Sequence, residues 1–546
     1  MENVLMKHIR KSTAVRLSAI ILSAAVLLCG CREIEVESPA TTDSINVTLP
    51  VVTQITESEA TALTSMTTED ILMAESITAL TETDVTETAA GESETTVTAA
   101  ETITEATTAS ETTTTEAVTT TEATTTTTEA TTTTEATTTT EATTTIEATT
   151  TTAATTMETV TETVRAAMFA APAVNSSRGY TPLNYSTQKA VWISYLDYAV
   201  LMKGKSQAEF TAAIGGAFDN ISAMGCNTVY IHASAWGDAY YPSSYYPWGE
   251  NASGTIGVSP GYDPFGIMVE QAHARGLSVH AWINPMRGMY DSKLKTTSDS
   301  YILKQWYNDP AKRGQYIVKV GDIWYLNPAY GEPVQIICSR ISEIMAAYQV
   351  DGIHIDDYFY PETATASFDS AAYKSSGTSL KLGDWRRSLV SGMVAQMYRT
   401  VKSCNSSALF GISPQGNIEN NYSYMYFDAA SLCSKDGYMD YIVPQIYFGY
   451  NSKAKPFTKT LADWRALVTN GNIKLVIGLA SYKVGRSAYD SEWTNGSDIT
   501  TRQTTDSLAT GCGVAYFKYI DIVYPPAEAA AKVSADNAGV RKALGK

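Results

Sequence analysis

The sequence predicts a (β/α)8 barrel preceded by a long Thr- and Glu-rich segment, and three observations carry that prediction. Short β-rich runs alternate with helix-length runs eight times between Ala190 and Leu544. No G-x-G-x-x-G motif opens this region, which argues against the competing doubly wound nucleotide-binding sheet. Composition also changes sharply near residue 180, from Thr, Ala and Glu to a globular mixture rich in Tyr and Trp. The expected organisation is residues 1–31 as a signal, 32–180 as a linker and 181–546 as the barrel.

The signal reading rests on Lys7, Arg10, Lys11 and Arg16, followed by an apolar run from Leu17 to Leu28. That run is short for a spanning helix and has the length of a signal h-region. It ends in Leu28-Cys29-Gly30-Cys31, which resembles a bacterial lipobox and implies lipidation at Cys31. The alternative is an uncleaved membrane anchor. Either version exports the chain and holds it at a membrane, with the domain at the cell surface.

The linker repeats Glu-Ala-Thr-Thr-Thr-Thr, with Glu122, Glu129, Glu135, Glu141 and Glu147 as its markers. Such a composition buries too little apolar surface to offset ordering entropy, so a disordered stalk is expected. A flexible chain of this length reaches roughly 60–70 Å on average. Residues 33–165 hold 25 acidic side chains and one Arg, so the net charge of −18 is set there and the barrel region is left near +2. No basic stripe marks that region, which argues against nucleic acid as a partner. Beyond Cys31, the cysteines Cys226, Cys338, Cys404, Cys433 and Cys512 are scattered and form no C-x-x-C pair, so neither a disulfide framework nor a zinc ribbon is expected.

The elements follow in order. Ala190–Leu196 reads as the first strand, with Gln207–Met224 as its helix and Gly225 as the stop. Thr228–Ser234 is the second strand, followed by the helix Pro264–Arg275 and Gly276. Ser278–Asn284 is the third, ended by Pro285. After the helix Pro333–Tyr348 comes the fourth, 351–358, then the helix Trp385–Ser403. Leu409–Ser413, Tyr441–Tyr447, Leu475–Ser481 and Gly513–Ile520 complete the eight strands. Their helices are Asp428–Ser434, Leu461–Thr469, Thr500–Ala509 and Pro526–Leu544. The long loops follow strands two, three, four and seven. In a barrel the strand-to-helix loops line the mouth, where the chemistry is kept.

Alternation along each strand assigns faces. Val229, Ile231, Ile353 and Ile355 are expected to turn toward helices. Tyr230, His232, His280, Trp282, Asn284, His354 and Asp356 then point inward. Gln445 and Tyr447 share the inner face of strand six, Tyr482 ends strand seven, and Tyr516 and Lys518 share a face of strand eight. The mouth should hold Asn284, Asp356, Gln445, Tyr447, Tyr482 and Lys518, with Trp236 and Trp248 on the rim. Arg287, His354 and Tyr358 are further candidates for sugar contact. Aromatic platforms with amides and carboxylates suit a sugar, whose ring has apolar faces and a hydroxyl edge.

Glycoside hydrolysis usually needs two carboxyl groups, one near each face of the scissile bond. Asp356 is the first choice and Asp357 lies beside it. Glu419, after strand five, is the best-placed second carboxylate by topology, with Asp197, Asp238 and Asp521 as alternatives. His232, His280 and His354 raise a metal reading, but no H-x-H or H-E-x-x-H is present, and histidines of a polar barrel layer are the simpler account. No cofactor is expected.

The residues also resemble a known family. Tyr262-Asp263-Pro264-Phe265, His280 through Arg287, Leu326-Asn327-Pro328, Asp351 through Pro361, Asp384-Trp385-Arg386-Arg387, Gly411-Ile412-Ser413-Pro414 and Pro444-Gln445-Ile446-Tyr447 stand in order. With them the chain resembles the glycosyl-hydrolase-like lipoproteins of family ten (YddW type). The resemblance implies a barrel, export as a lipoprotein and glycosidase-like activity. Some members are similar to enzymes that cut peptidoglycan glycan strands lacking stem peptides. The chain departs from the family in its Thr-rich stalk and in Gln415 through Asn420. The expected function is a membrane-anchored, monomeric glycoside hydrolase acting on an extracytoplasmic polysaccharide such as peptidoglycan glycan. The alternatives are a non-catalytic glycan-binding barrel and a metal-dependent hydrolase or deacetylase.

Overall fold

The computed structural model describes residues 178–546. The predicted signal segment, Cys31 and nearly all of the predicted linker lie outside the described residues. Eight parallel strands close into a barrel. They are β1 (Lys189–Ile193), β2 (Thr228–Ser234), β3 (Ser278–Ile283), β7 (Gly352–Ile355), β8 (Leu409–Ile412), β9 (Tyr441–Ile442), β10 (Lys474–Ala480) and β11 (Gly513–Phe517), in that order around the wall. The predicted count, order and direction all hold.

One element was not predicted. The chain between β3 and β7 carries a small antiparallel sheet of β4 (Arg287–Tyr290), β5 (Ile317–Val320) and β6 (Ile323–Leu326). Its centre is β6, and just three residues separate β4 from the end of β3. This sheet fixes Arg287 at the mouth. Gly288 is required within it, because a Cβ there would stand 2.5 Å from the Trp324 carbonyl oxygen.

Local chemistry explains the element ends. The helix Gln207–Met224 starts in a capping box, in which Ser206 accepts from the Glu209 backbone and Glu209 returns the bond to Ser206. It stops at Gly225 in the left-handed region. Strand β9 is shorter than predicted because Pro444 has no N–H for the ladder, and isolated bridges from Gln445 to Gln415 and Gly478 continue the wall.

The barrel has two apolar layers. Val191, Ile193, Val229, Ile231, Ile353 and Ile355 face outward into the core shared with the helices. Trp192, Tyr230, Trp282 and Tyr441 fill the inside. Large inner rings demand small residues opposite them. A Cβ on Gly411 would fall inside the Tyr441 ring, and one on Gly352 would meet His280 Nδ1 at 2.7 Å. Among the described residues, no helix is long and apolar enough to cross a membrane.

Candidate active site

Strand β7 delivers Asp356 to the open end of the barrel. Register fixes the level: His354 sits beside Trp282 on one side and Gly411 on the other, so Asp356 emerges just above the inner rings. A cleft opens there. Its floor and walls include Trp192, Trp282, Tyr447 and Phe517, and its acids are Asp356, Asp357 and Glu362.

The acids are held in different ways. Asp356 is buried and accepts one backbone bond, from Tyr358 N at 3.3 Å. Burial pushes its carboxyl well above the usual range and the neighbouring Asp357 charge adds to this, while Arg287 and the Tyr358 amide oppose. Asp357 is half-buried. Its carboxyl is pushed up to about 6, chiefly by burial and further by Glu362, against its own backbone amide and the amides of Gln445 and Gln415. Gln445 Nε2 lies 3.4 Å from Asp357 Oδ1 and also donates to the Ser413 carbonyl at 3.1 Å. Gln415 Nε2 donates to Glu362 Oε1 at 2.8 Å. Two side-chain amides thus tie Asp357 and Glu362 to the ends of β8 and β9.

Arg287 supplies the positive charge. Its guanidinium carbon lies 3.8 Å over the Trp236 ring and 3.7 Å over the Tyr358 ring, and Nε donates to the Ala235 carbonyl at 3.0 Å. It makes no ion pair among the described residues. Sandwiched in this way, the guanidinium is fixed with its charge toward Asp356.

Of the residues predicted from sequence, Asp356, Asp357, Arg287, Tyr358, Gln445 and Tyr447 line the cleft. The others lie elsewhere. Trp236 stands behind Arg287 as its stacking partner. Tyr482 packs edge-on against Tyr447, with ring centroids 5.7 Å apart. Asn284 is fully buried; its amide donates to the Ala235 carbonyl at 3.0 Å and its oxygen lies 3.2 Å from His232 Nε2, so it braces the loop after β2. His354 belongs to the layer below the cleft, stacked on Tyr230 at 4.1 Å and bonded by Trp192 Nε1 at 3.1 Å.

Lys518 and Glu419 need correction. On β11 the inward residues are Ala515 and Phe517, whereas Tyr516 faces outward and bonds Thr504. The face predicted for Tyr516 and Lys518 is therefore the wrong one, and Lys518 pairs with Asp521 at 2.6 Å instead of lining the cleft. Glu419 lies in the first turn of the helix Ile418–Ser423, exposed and paired with Lys455. The chain after β8 turns away at Asn417, which caps that helix, so the glutamate points to solvent. Glu362 was missed. Its only sequence signal is an acid directly after Pro361, in the loop that leaves the Asp356-Asp357 strand.

The three inner histidines are each hydrogen-bonded within the barrel: His232 receives the Tyr195 N–H at 3.1 Å, His280 and His354 share the Tyr441 hydroxyl at 2.6 and 3.1 Å, and His354 also has the Trp192 indole. Burial lowers the pKa of each, that of His280 to about 4. Among the described residues, no three His, Cys, Asp or Glu side chains are grouped as a metal site.

A parallel barrel with an acid cluster in an aromatic cleft at its open end defines the class of protein. The chain belongs to the family Glycosyl hydrolase-like 10, whose family model matches residues 187–495. It is 33% identical over 341 residues to Glycosyl hydrolase YngK of Bacillus subtilis (strain 168), covering 58% of this chain and 64% of that protein. It is 33% identical over 294 residues to Glycosyl hydrolase DigH of Escherichia coli (strain K12), covering 50% of this chain and 67% of that protein. The chain thus spans 64% of the length of the Bacillus relative. Among solved structures, the catalytic domain of a β-amylase from Paenibacillus polymyxa aligns at a TM-score of 0.41 with 11% identity, covering 65% of this chain and 98% of that one.

Proposed function

We propose that this protein is a glycoside hydrolase in which Asp357 is the general acid and Asp356 the carboxyl group that acts beside it at the reacting carbon. The observation that carries this reading is the coupled pair Asp356-Asp357 at the barrel mouth, set among aromatic walls with Gln445, Gln415 and Arg287 around it. Two adjacent carboxyls in a cleft walled by aromatic rings do not ionise with equal ease, so the pair carries a proton at a pH where a free carboxylate would have lost it. Asp357, the more accessible of the two and pushed up to about 6, is suited to protonate a leaving glycosidic oxygen. Tyr447, Trp192 and Phe517 provide apolar surface for a sugar ring.

The substrate we propose is an extracytoplasmic polysaccharide, with peptidoglycan glycan strands as the leading member. The basic and apolar residues before Cys31 support export and lipid anchoring, and the Thr-rich repeats support a spacer that lets a monomeric barrel reach its substrate. The test is digestion of purified, peptide-free wall glycan by the full-length protein, with mass spectrometry of the products. New reducing ends from the wild type and none from Asp357→Asn are expected. Glycan binding with no product from the wild type would refute the hydrolase and leave a binding barrel.

A further inference from the structure

We infer that the nucleophile at the anomeric carbon is the substrate's own 2-acetamido group, so that the cleft selects 2-acetamido-2-deoxy sugars. This rests on the hydrolase reading. The three cleft acids all come from one stretch of seven residues, Asp356 to Glu362, at the end of β7. They enter the cleft from the β7 part of the wall. Strand β11 lies across the barrel from β7 by strand order, and it contributes Phe517 there. Among the described residues, no other Asp or Glu lines the cleft.

The acids that topology could have sent to the facing side are already engaged. Asp197 accepts from Ser194 N and Ile520 N; Asp238 accepts from Ala235 N and Trp236 N. Asp521 pairs with Lys518 and Arg486. A protein nucleophile or an inverting base needs a second carboxyl on the opposite face, separated from the acid by roughly 5 Å or roughly 6.5–9.5 Å, whereas substrate-assisted hydrolysis does not. The cleft also offers what an acetamido group requires. The Tyr447 hydroxyl has no hydrogen-bond partner among the described residues and sits near both Asp356 and Asp357.

In the first step the Asp357 carboxylic proton passes to the leaving glycosidic oxygen. The bond from the anomeric carbon to that oxygen breaks as the acetamido carbonyl oxygen bonds to the same carbon. Asp356 accepts the acetamido N–H through its carboxyl oxygen and the Asp357 carboxylate left by this step balances the positive charge of the oxazolinium ring, while Tyr447 orients the carbonyl. In the second step water attacks the anomeric carbon and gives its proton to Asp357. The bond to the acetamido oxygen then breaks, restoring the amide. Two inversions leave the configuration retained.

The test uses the full-length protein and peptide-free wall glycan that has been N-deacetylated and then reacylated with either acetyl or trifluoroacetyl groups. Electron withdrawal weakens the carbonyl nucleophile while leaving the glycosidic bond in place. We expect the trifluoroacetyl glycan to be cleaved at least 100-fold more slowly, and the acetyl glycan to give a first product of retained configuration by proton NMR. Tyr447→Phe should lower kcat about 10-fold or more with KM within threefold. Equal cleavage of the two glycans, inversion, or a 2-fluoro sugar trapped on an enzyme carboxylate overturns the inference and leaves the hydrolase standing. Cleavage of neither glycan overturns both.

Discussion

Strand β7 has an aspartate at each end, and both are buried. Asp351, at the closed end, accepts from Tyr180 Oη at 3.0 Å, Val279 N at 2.6 Å and Leu183 N, and pairs with His273 Nε2 at 2.8 Å. Asp356, at the open end, has one backbone bond at 3.3 Å, the Trp282 indole, a carboxylate neighbour and a cleft in front of it. Burial is the same in the two cases, so burial does not mark the site. What differs is how far the lone pairs are satisfied. A carboxylate surrounded by donors holds the fold together, whereas one left with open valence beside another acid is poised to exchange a proton.

Exchanging carboxylate for amide at each position tests this contrast. Asp357→Asn should lower the hydrolysis rate roughly 1,000-fold, since general acid catalysis contributes about 100- to 10,000-fold. Near-wild-type hydrolysis by this variant would remove Asp357 from the mechanism. Asp351→Asn should do the opposite. It breaks the buried carboxylate's hydrogen bond to His273 and sets an amide against two backbone N–H groups, at a cost of about 3 kcal/mol in urea unfolding. The folded fraction should keep its activity within about threefold. A large loss of kcat without loss of stability would show that the closed end communicates with the cleft.

The fold was legible because its signals are local. The alternation in Val229-Tyr230-Ile231-His232 and the stops at Gly225 and Gly276 each depend on neighbours a few residues away, and all correspond to observed elements. The candidate site was legible only in part. Asp356, Asp357, Gln445 and Tyr447 lie on or just beyond strands whose phase the sequence reveals, and all reach the cleft. Lys518 was misplaced because the inward face of β11 ends in Phe517, and an apolar Ala515-x-Phe517 face looks no different from an outward one. Glu419 and Glu362 lie on loops, where direction is set by caps and turns that periodicity does not encode. Only coordinates show one leaving at Asn417 and the other folding back onto Gln415.

The pH dependence sharpens the contrast at intermediate size. Asp357 must be protonated to act as the acid, and its carboxyl is pushed up to about 6, so activity should fall as pH rises through about 6. The same shift sets the sign for stability. A carboxyl raised from its unfolded value of about 3.9 stabilises the folded state below that value, and this contribution is lost as pH rises through about 6. Asp357→Asn should therefore melt higher than the wild type at pH 7.5 and close to it at pH 4. A variant that melts lower at pH 7.5 would mean that the ionised carboxylate is favoured in the fold, which contradicts the contrast with Asp351.

The smallest effect is expected at Glu419, an acid chosen by topology whose side chain is 78% exposed. Its partner Lys455 is near the surface too, so water and salt screen the pair, and side-chain ordering offsets much of the attraction. Removing the charge in Glu419→Gln should change stability by no more than about 0.5 kcal/mol. Hydrolysis by this variant should stay within about twofold of the wild type across the pH range. A 100-fold loss would place a carboxylate outside the cleft in the mechanism, requiring the chain after β8 to swing inward when glycan binds. It would also break the rule drawn from β7, because an acid already paired at the surface would then be doing chemistry.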